Sequence, residues 1–160
     1  MQSTEQFTSL ILEHKALIYK VSRIYVDNRE DQKDLYQEIV YQLWKSFGNF
    51  KGNSKVSTWM YRVAMNTAIA FLNKSKKKRS VITNIDFPDL EEECSSEIEK
   101  QTQQLYSAIK QLTIVERGVV LLYLEGKNYR EISEITGFTE SNVGTRMLRI
   151  KQKLKKIVTP

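Results

Sequence analysis

Residues 113–156 read TIVERGVVLLYLEGKNYREISEITGFTESNVGTRMLRIKQKLKK. Thr113-Ile114-Val115-Glu116 has the spacing of a capping box and Gly126 follows an apolar run, which predicts a helix from about Val115 to Glu125. Asn128 then caps a second helix that turns Ile132 and Ile135 inward and stops at Gly137, where a residue without Cβ can enter the left-handed region. Phe138 plugs the turn. Thr139 is an N-cap for a third helix with Val143, Met147, Ile150 and Leu154 inward, at intervals of four, three and four. Its outward face carries Ser141, Asn142, Thr145, Arg146 and Arg149. Two short helices around a glycine turn, the second presenting amide, hydroxyl and guanidinium groups at its start, form a helix-turn-helix suited to the DNA major groove. Lys151, Lys153, Lys155 and Lys156 add phosphate affinity without sequence preference.

The remainder of the chain sets the context. A length of 160 residues with 41% hydrophobic residues suits one domain or two small ones, and two Pro and six Gly leave long stretches free to be helical. No apolar run reaches membrane-spanning length and no signal peptide is recognisable, so a cytoplasmic protein without membrane insertion is expected. Cys94 is the only cysteine and His14 the only histidine. Disulfides, cysteine metal clusters and a Ser-His-Asp triad are therefore not expected, and no metal or other cofactor is implied. His14 reads as a solvent-facing helix residue.

Charge divides the chain in three. Residues 1–80 carry 14 Lys/Arg against 7 Asp/Glu, residues 81–104 carry 1 against 7, and residues 105–160 carry 10 against 5. The expected organisation is all-α: two small basic helical domains, 1–80 and 105–160, joined by an acidic flexible linker over 81–104. Pro88 blocks helix continuation near the start of that linker.

In the N-terminal part, Phe7, Leu10, Ile11, His14, Leu17, Ile18, Val21, Ile24 and Tyr25 follow helical spacing and predict one helix from about Thr4 to Val26. A second helix, about Glu30 to Phe47, buries some of Leu35, Ile39, Val40, Leu43, Trp44 and Phe47. Its other face carries Asp31, Asp34, Gln37 and Glu38, which are neighbours at spacings of three and four. Such an acidic patch on a basic domain reads as a docking surface for a basic partner. A general acid/base pair is the other option, but no nucleophile, second ligand set or phosphate loop accompanies it, so an enzyme is not expected. After the polar loop Phe50-Lys51-Gly52-Asn53-Ser54, a third helix is expected from about Val56 to Lys77, with Val56, Met60, Val63, Ala64, Thr67 and Phe71 inward. Trp59, Arg62, Asn66 and Asn73 share another face. Aromatic rings and amides at such spacing suit unpaired bases, and Lys74, Lys76, Lys77, Lys78 and Arg79 supply phosphate charge; the other reading makes Trp59 and Tyr61 core aromatics and the basic run a solvated helix end.

Taken in order, these segments resemble a known family. Asp31-Gln32-Lys33-Asp34-Leu35-Tyr36-Gln37-Glu38, closed by Leu43-Trp44, looks like the polymerase-docking helix of bacterial sigma factors. Phe50-Lys51-Gly52-Asn53-Ser54 followed by Ser57-Thr58-Trp59-Met60-Tyr61-Arg62-Val63-Ala64-Met65-Asn66 is similar to the promoter-opening segment of the extracytoplasmic-function group. Leu112, Glu116 and Tyr123-Leu124-Glu125-Gly126-Lys127-Asn128-Tyr129-Arg130-Glu131-Ile132 resemble that group's second DNA-binding domain. The resemblance implies a dissociable, non-enzymatic subunit that binds core RNA polymerase and directs initiation at promoters. Asp31, Asp34, Leu35, Gln37 and Glu38 would dock the polymerase. Phe50, Trp59, Tyr61, Arg62, Asn66, Asn73, Lys76, Lys77, Lys78 and Arg79 would capture and open the −10 element. Ser141, Asn142, Gly144, Thr145, Arg146, Arg149 and Lys153 would read the −35 element. Gly144 stands where many family members carry Lys or Arg, which shifts the expected reading onto Asn142, Thr145, Arg146 and Arg149. The linker would follow the RNA-exit path, and an anti-sigma factor is a further partner the resemblance admits. A stand-alone helix-turn-helix regulator is the alternative, and it assigns no role to the acidic helix or to the Trp59 face.

Overall fold

A computed structural model describes residues 4–52, 54–74 and 97–158. Eight helices and no strand occur among them. The chain divides into two compact units, Met1–Pro88 and Asp89–Pro160.

The N-terminal unit holds α1 (Thr4–Glu13), α2 (Lys15–Tyr25), α3 (Arg29–Phe47) and α4 (Val56–Lys74). The single helix expected over Thr4–Val26 is instead two, broken at His14. There the backbone leaves helical geometry (φ −116°, ψ 23°) and the half-buried imidazole Nδ1 lies 3.1 Å from the Leu10 carbonyl oxygen, so His14 is not the solvent-facing residue expected. The break re-aims the apolar stripe, burying Phe7 and Ile11 on one segment and Leu17, Ile18, Val21 and Ile24 on the next. α2, α3 and α4 pack on one another and α1 lies against α3. Asn28 caps α3, its Oδ1 accepting from the Asp31 N–H at 2.8 Å, while Gln32 is buried with Nε2 donating to the Val26 carbonyl at 3.1 Å. Those bonds fix the corner between α2 and α3.

The C-terminal unit holds α5 (Glu97–Ile109), α6 (Ile114–Leu124), α7 (Tyr129–Thr136) and α8 (Glu140–Val158). The last eight residues assigned to the linker are thus the first turns of α5, whose side chains at 97–104 are mostly exposed. The rest of the expected linker, through Ser96, lies outside the described residues. α8 packs on α5, α6 and α7. The core is Ala108, Ile109, Leu112, Val119, Val120, Leu121, Leu122, Ile132, Ile135, Val143, Met147 and Ile150, which includes all of the expected inward positions of α7 and α8 except the half-buried Leu154 and adds none from their polar faces.

Candidate functional site

The helix-turn-helix is built by three caps. At α6 the Glu116 N–H donates to Thr113 Oγ1 (3.2 Å) and the Thr113 N–H to Glu116 Oε1 (3.0 Å). At α7 the Glu131 N–H donates to Asn128 Oδ1 (2.8 Å) and the Asn128 N–H to Glu131 Oε1 (2.9 Å). Each box satisfies two N-terminal donors that the helix leaves over. Gly137 ends α7 at φ +89°, and the Asn142 N–H donates to Thr139 Oγ1 at 3.0 Å to start α8.

On α8, Ser141, Asn142, Thr145 and Arg149 are exposed. Arg146 is half-buried, its guanidinium 4.3 Å from the centre of the Phe138 ring and its Nε donating to Asn142 Oδ1 at 2.7 Å. Phe138 is half-buried at the turn and carries the arginine, a pairing that adjacency in sequence does not signal. Gly144 is half-buried, and a Cβ built there would lie 3.5 Å from Cε2 of Tyr129. That is ordinary van der Waals distance, so Gly144→Ala is expected to raise the stability of this unit by about 0.5–1 kcal/mol through helix propensity, measured by urea unfolding. A loss instead would mean that α7 and α8 need a closer approach than this geometry implies.

Lys153 also departs from expectation. Its Nζ sits 2.7 Å from Glu116 Oε2, pairing its charge with the α6 cap across 37 residues of sequence. Burial alone would raise the Glu116 pKa, but the hydrogen bond from Lys153, those from Thr113 and the lysine charge together hold it below its ordinary 4.5. A depressed folded pKa means stability that is complete above the unfolded value and is lost as pH falls through the folded one. We therefore expect Glu116→Gln to be less stable than wild type at neutral pH, by about 1 kcal/mol because solvent at Lys153 screens the pair. Thermal unfolding of both proteins across pH 3–7 checks this: the difference should shrink below pH 4.5 and not above it.

In the N-terminal unit, a tight turn after α3, with the Phe50 N–H donating to the Phe47 carbonyl at 3.2 Å, lays the Phe50 ring on Trp59. The two rings stack with centroids 4.9 Å apart and planes 28° apart, and the Phe47 ring is tilted against Trp59 at 6.3 Å. Phe47 in turn meets Phe7 at 5.3 Å, and Phe7 meets Trp44 edge-on at 5.1 Å. Arg62, Asn66 and Asn73 follow Trp59 along the exposed face of α4. Tyr61 does not: it is buried with Met60, Ala64 and Ala68, so the core face of α4 is rotated from the one expected, leaving Val56, Val63 and Phe71 half-buried. A buried ring cannot stack on a base, which corrects the melting role given to Tyr61. Lys74 is exposed, while Lys76, Lys77, Lys78 and Arg79 lie outside the described residues.

On α3, Asp31 and Asp34 are exposed, and Gln37 and Glu38 half-buried, Glu38 accepting from Gln42 Nε2 at 3.0 Å. Asp31 Oδ2 accepts from Asn28 Nδ2 at 3.0 Å, which gives it a local role at the helix start, where its charge also suits the helix dipole. Leu35 is fully buried and belongs to the core, a correction to its assignment as a docking residue.

The comparisons with known proteins meet this arrangement region by region. Residues 10–78 match the sigma-70 region 2 family and residues 102–154 the sigma-70 region 4 family. The RNA polymerase sigma factor SigV of Bacillus subtilis is 29% identical over 140 residues, spanning 87% of this chain and 82% of that protein. The ECF RNA polymerase sigma factor SigX of the same organism is 27% identical over 148 residues, spanning 87% and 76%. Among solved structures, the sigma factor RpoE of Bartonella quintana, determined with the anti-sigma factor NepR, superposes with a TM-score of 0.71 at 16% identity, covering 98% of this chain and 100% of that one. With region 2 and region 4 matched in order across most of its length, the chain belongs to the extracytoplasmic-function group of the sigma-70 family.

Proposed function

We propose that the chain lends bacterial core RNA polymerase its promoter specificity, with the N-terminal unit opening the −10 element and α8 reading the −35 element. The observation that carries this is the coexistence on one chain of a capped helix-turn-helix and a separate helix whose exposed face bears Trp59, Arg62, Asn66 and Asn73 beside the Phe50 stack. A duplex reader acting alone has no use for the second. Asp34, Gln37 and Glu38, with Asp31 at the helix start, form the surface offered to a basic element of the polymerase. Phe50 and Asn66 flank the place for a base drawn out of the duplex, whose capture offsets an unpairing cost of a few kcal/mol. Ser141, Asn142, Thr145, Arg146 and Arg149 face the −35 duplex, with Lys151, Lys155 and Lys156 on phosphate. This work is that of an initiation factor, not an enzyme, and places the protein in the cytoplasm with the polymerase. A relative's complex with an anti-sigma factor supports a similar inhibitory partner here.

Run-off transcription with purified bacterial core polymerase on genomic promoter fragments tests the reading. Promoter-specific transcripts that need the added chain are expected. A folded protein that yields none, yet binds one duplex tightly by itself, would establish the stand-alone regulator instead.

A further inference from the structure

We propose that Phe138 and Asn142 are positioning residues that hold Arg146 as an end-on, donor-only reader, so that α8 selects guanine through Arg146 and does not read adenine through Asn142. The proposal rests on the assignment of α8 to the −35 element.

Two contacts fix the guanidinium. One of its faces lies over the Phe138 ring, 4.3 Å from the guanidinium carbon to the ring centre, and its Nε edge donates to Asn142 Oδ1 at 2.7 Å. The ring is itself pinned from both sides of its backbone: the Phe138 N–H donates to Thr136 Oγ1 at 3.3 Å and its carbonyl accepts from Ser133 Oγ. Asn142 is pinned by its N–H on the Thr139 cap. The platform is therefore part of the turn, not a loose surface contact.

The donor inventory then dictates what is read. Arginine carries no acceptor, so the amide atom that meets Nε must be the oxygen, which settles the orientation of the Asn142 amide by chemistry. An asparagine that pairs with adenine in the major groove uses its oxygen toward N6 and its NH2 toward N7. Here one lone pair of that oxygen already serves Arg146 and the plane of the amide is set by that bond, so Asn142 would have to share its oxygen and turn off Arg146 to pair squarely with adenine. Arg146 keeps the N–H groups of Nη1 and Nη2, whose fork matches O6 and N7 of guanine, while the side-on approach through Nε is closed. Because the arginine is held before DNA arrives, less rotamer freedom is lost on binding, which favours the matched base over the others.

The test uses the full chain with bacterial core polymerase and a promoter library randomised across the −35 region, sequenced after transcription. Wild type should favour guanine about tenfold or more at one position, the discrimination of one good bidentate pair. Phe138→Leu, which refills the turn without a π face, and Asn142→Ala should each cut that preference severalfold at the same position. Phe138→Tyr should retain it, and the salt dependence of binding should not change, since no phosphate contact is removed. Asn142 is exposed, so its variant stays informative if Phe138→Leu unfolds. The proposal is overturned if Arg146→Ala abolishes guanine preference while Phe138→Leu and Asn142→Ala leave it whole, or if Asn142→Ala erases an adenine preference at a different position. Arg146→Ala with unchanged selection everywhere would instead remove the assignment of α8 to the −35 element, and the proposal with it.

Discussion

Leu35→Ala is expected to cost the N-terminal unit about 2–5 kcal/mol of stability, whereas Asp34→Ala, one residue earlier, should change it by less than about 0.5 kcal/mol. One helical residue is a rotation of 100°, enough to pass from solvent to core. Leu35 is fully buried and shares its stripe with Tyr36, Ile39, Val40, Leu43 and Phe47, while Asp34 is exposed with Asp31. Truncating Leu35 leaves a cavity between α3 and its neighbours α2 and α4. A unit this small holds on the order of 5 kcal/mol in all, so much of it should unfold at growth temperature. Asp34→Ala should instead leave the melting curve in place and weaken assembly with core polymerase, and Asp34→Lys more strongly, by an amount that falls as salt is raised. Thermal unfolding followed by circular dichroism and a polymerase-binding titration separate the two. A stable Leu35→Ala protein that fails only in polymerase binding would return Leu35 to the docking surface and refute the packing account.

The adjacency of Asp34 and Leu35 illustrates what was legible in the sequence. The caps at Thr113, Asn128 and Thr139 and the turn at Gly137 could be read because each is settled by partners within four residues. The inward set of α8 was equally plain, since Val143, Met147 and Ile150 recur at helical spacing on one face and only Leu148 offers an apolar residue between them. α4 gave no such guidance: Val56, Trp59, Met60, Tyr61, Val63, Ala64 and Met65 are apolar around most of the helix, so periodicity could not say that Tyr61 turns in and Trp59 only half in. The break at His14 carries neither proline nor glycine. α5 was hidden by charge, its first turn bearing Glu97 and Glu99 and reading as linker. The Glu116–Lys153 pair joins residues 37 apart and depends wholly on how α8 crosses α6. Local chemistry is written in order along the chain; the rotation of one helix on another is not.

Trp59→Ala is expected to slow promoter opening about 10- to 100-fold on duplex templates, the equivalent of roughly 1–3 kcal/mol for one base–aromatic platform. The reason differs from the one the sequence suggests. Trp59 is not an open shelf for a base, because Phe50 already stacks on it at 4.9 Å and the buried Phe47 packs near it at 6.3 Å. A base drawn from the duplex would have to part the two rings or use the outer side of Phe50, and the second keeps an existing stack. Trp59 then acts by backing Phe50, with Asn66 two turns further along the same helix to meet the base edge. Two substitutions that act through one platform are not additive. Phe50→Ala and Trp59→Ala should therefore show similar opening defects, and the double variant little more than either. Trp59 also touches the buried Phe47, so its loss lowers stability as well, and the assay must tell misfolding from failed melting. A template already mismatched across the −10 region does so: it carries the unpairing cost in advance and should restore transcription by Trp59→Ala, whereas an unfolded protein would stay inactive on it. Fluorescence of a 2-aminopurine placed in the −10 element reports the opening step directly. Independent, additive defects for Phe50 and Trp59 would show that each ring holds its own base.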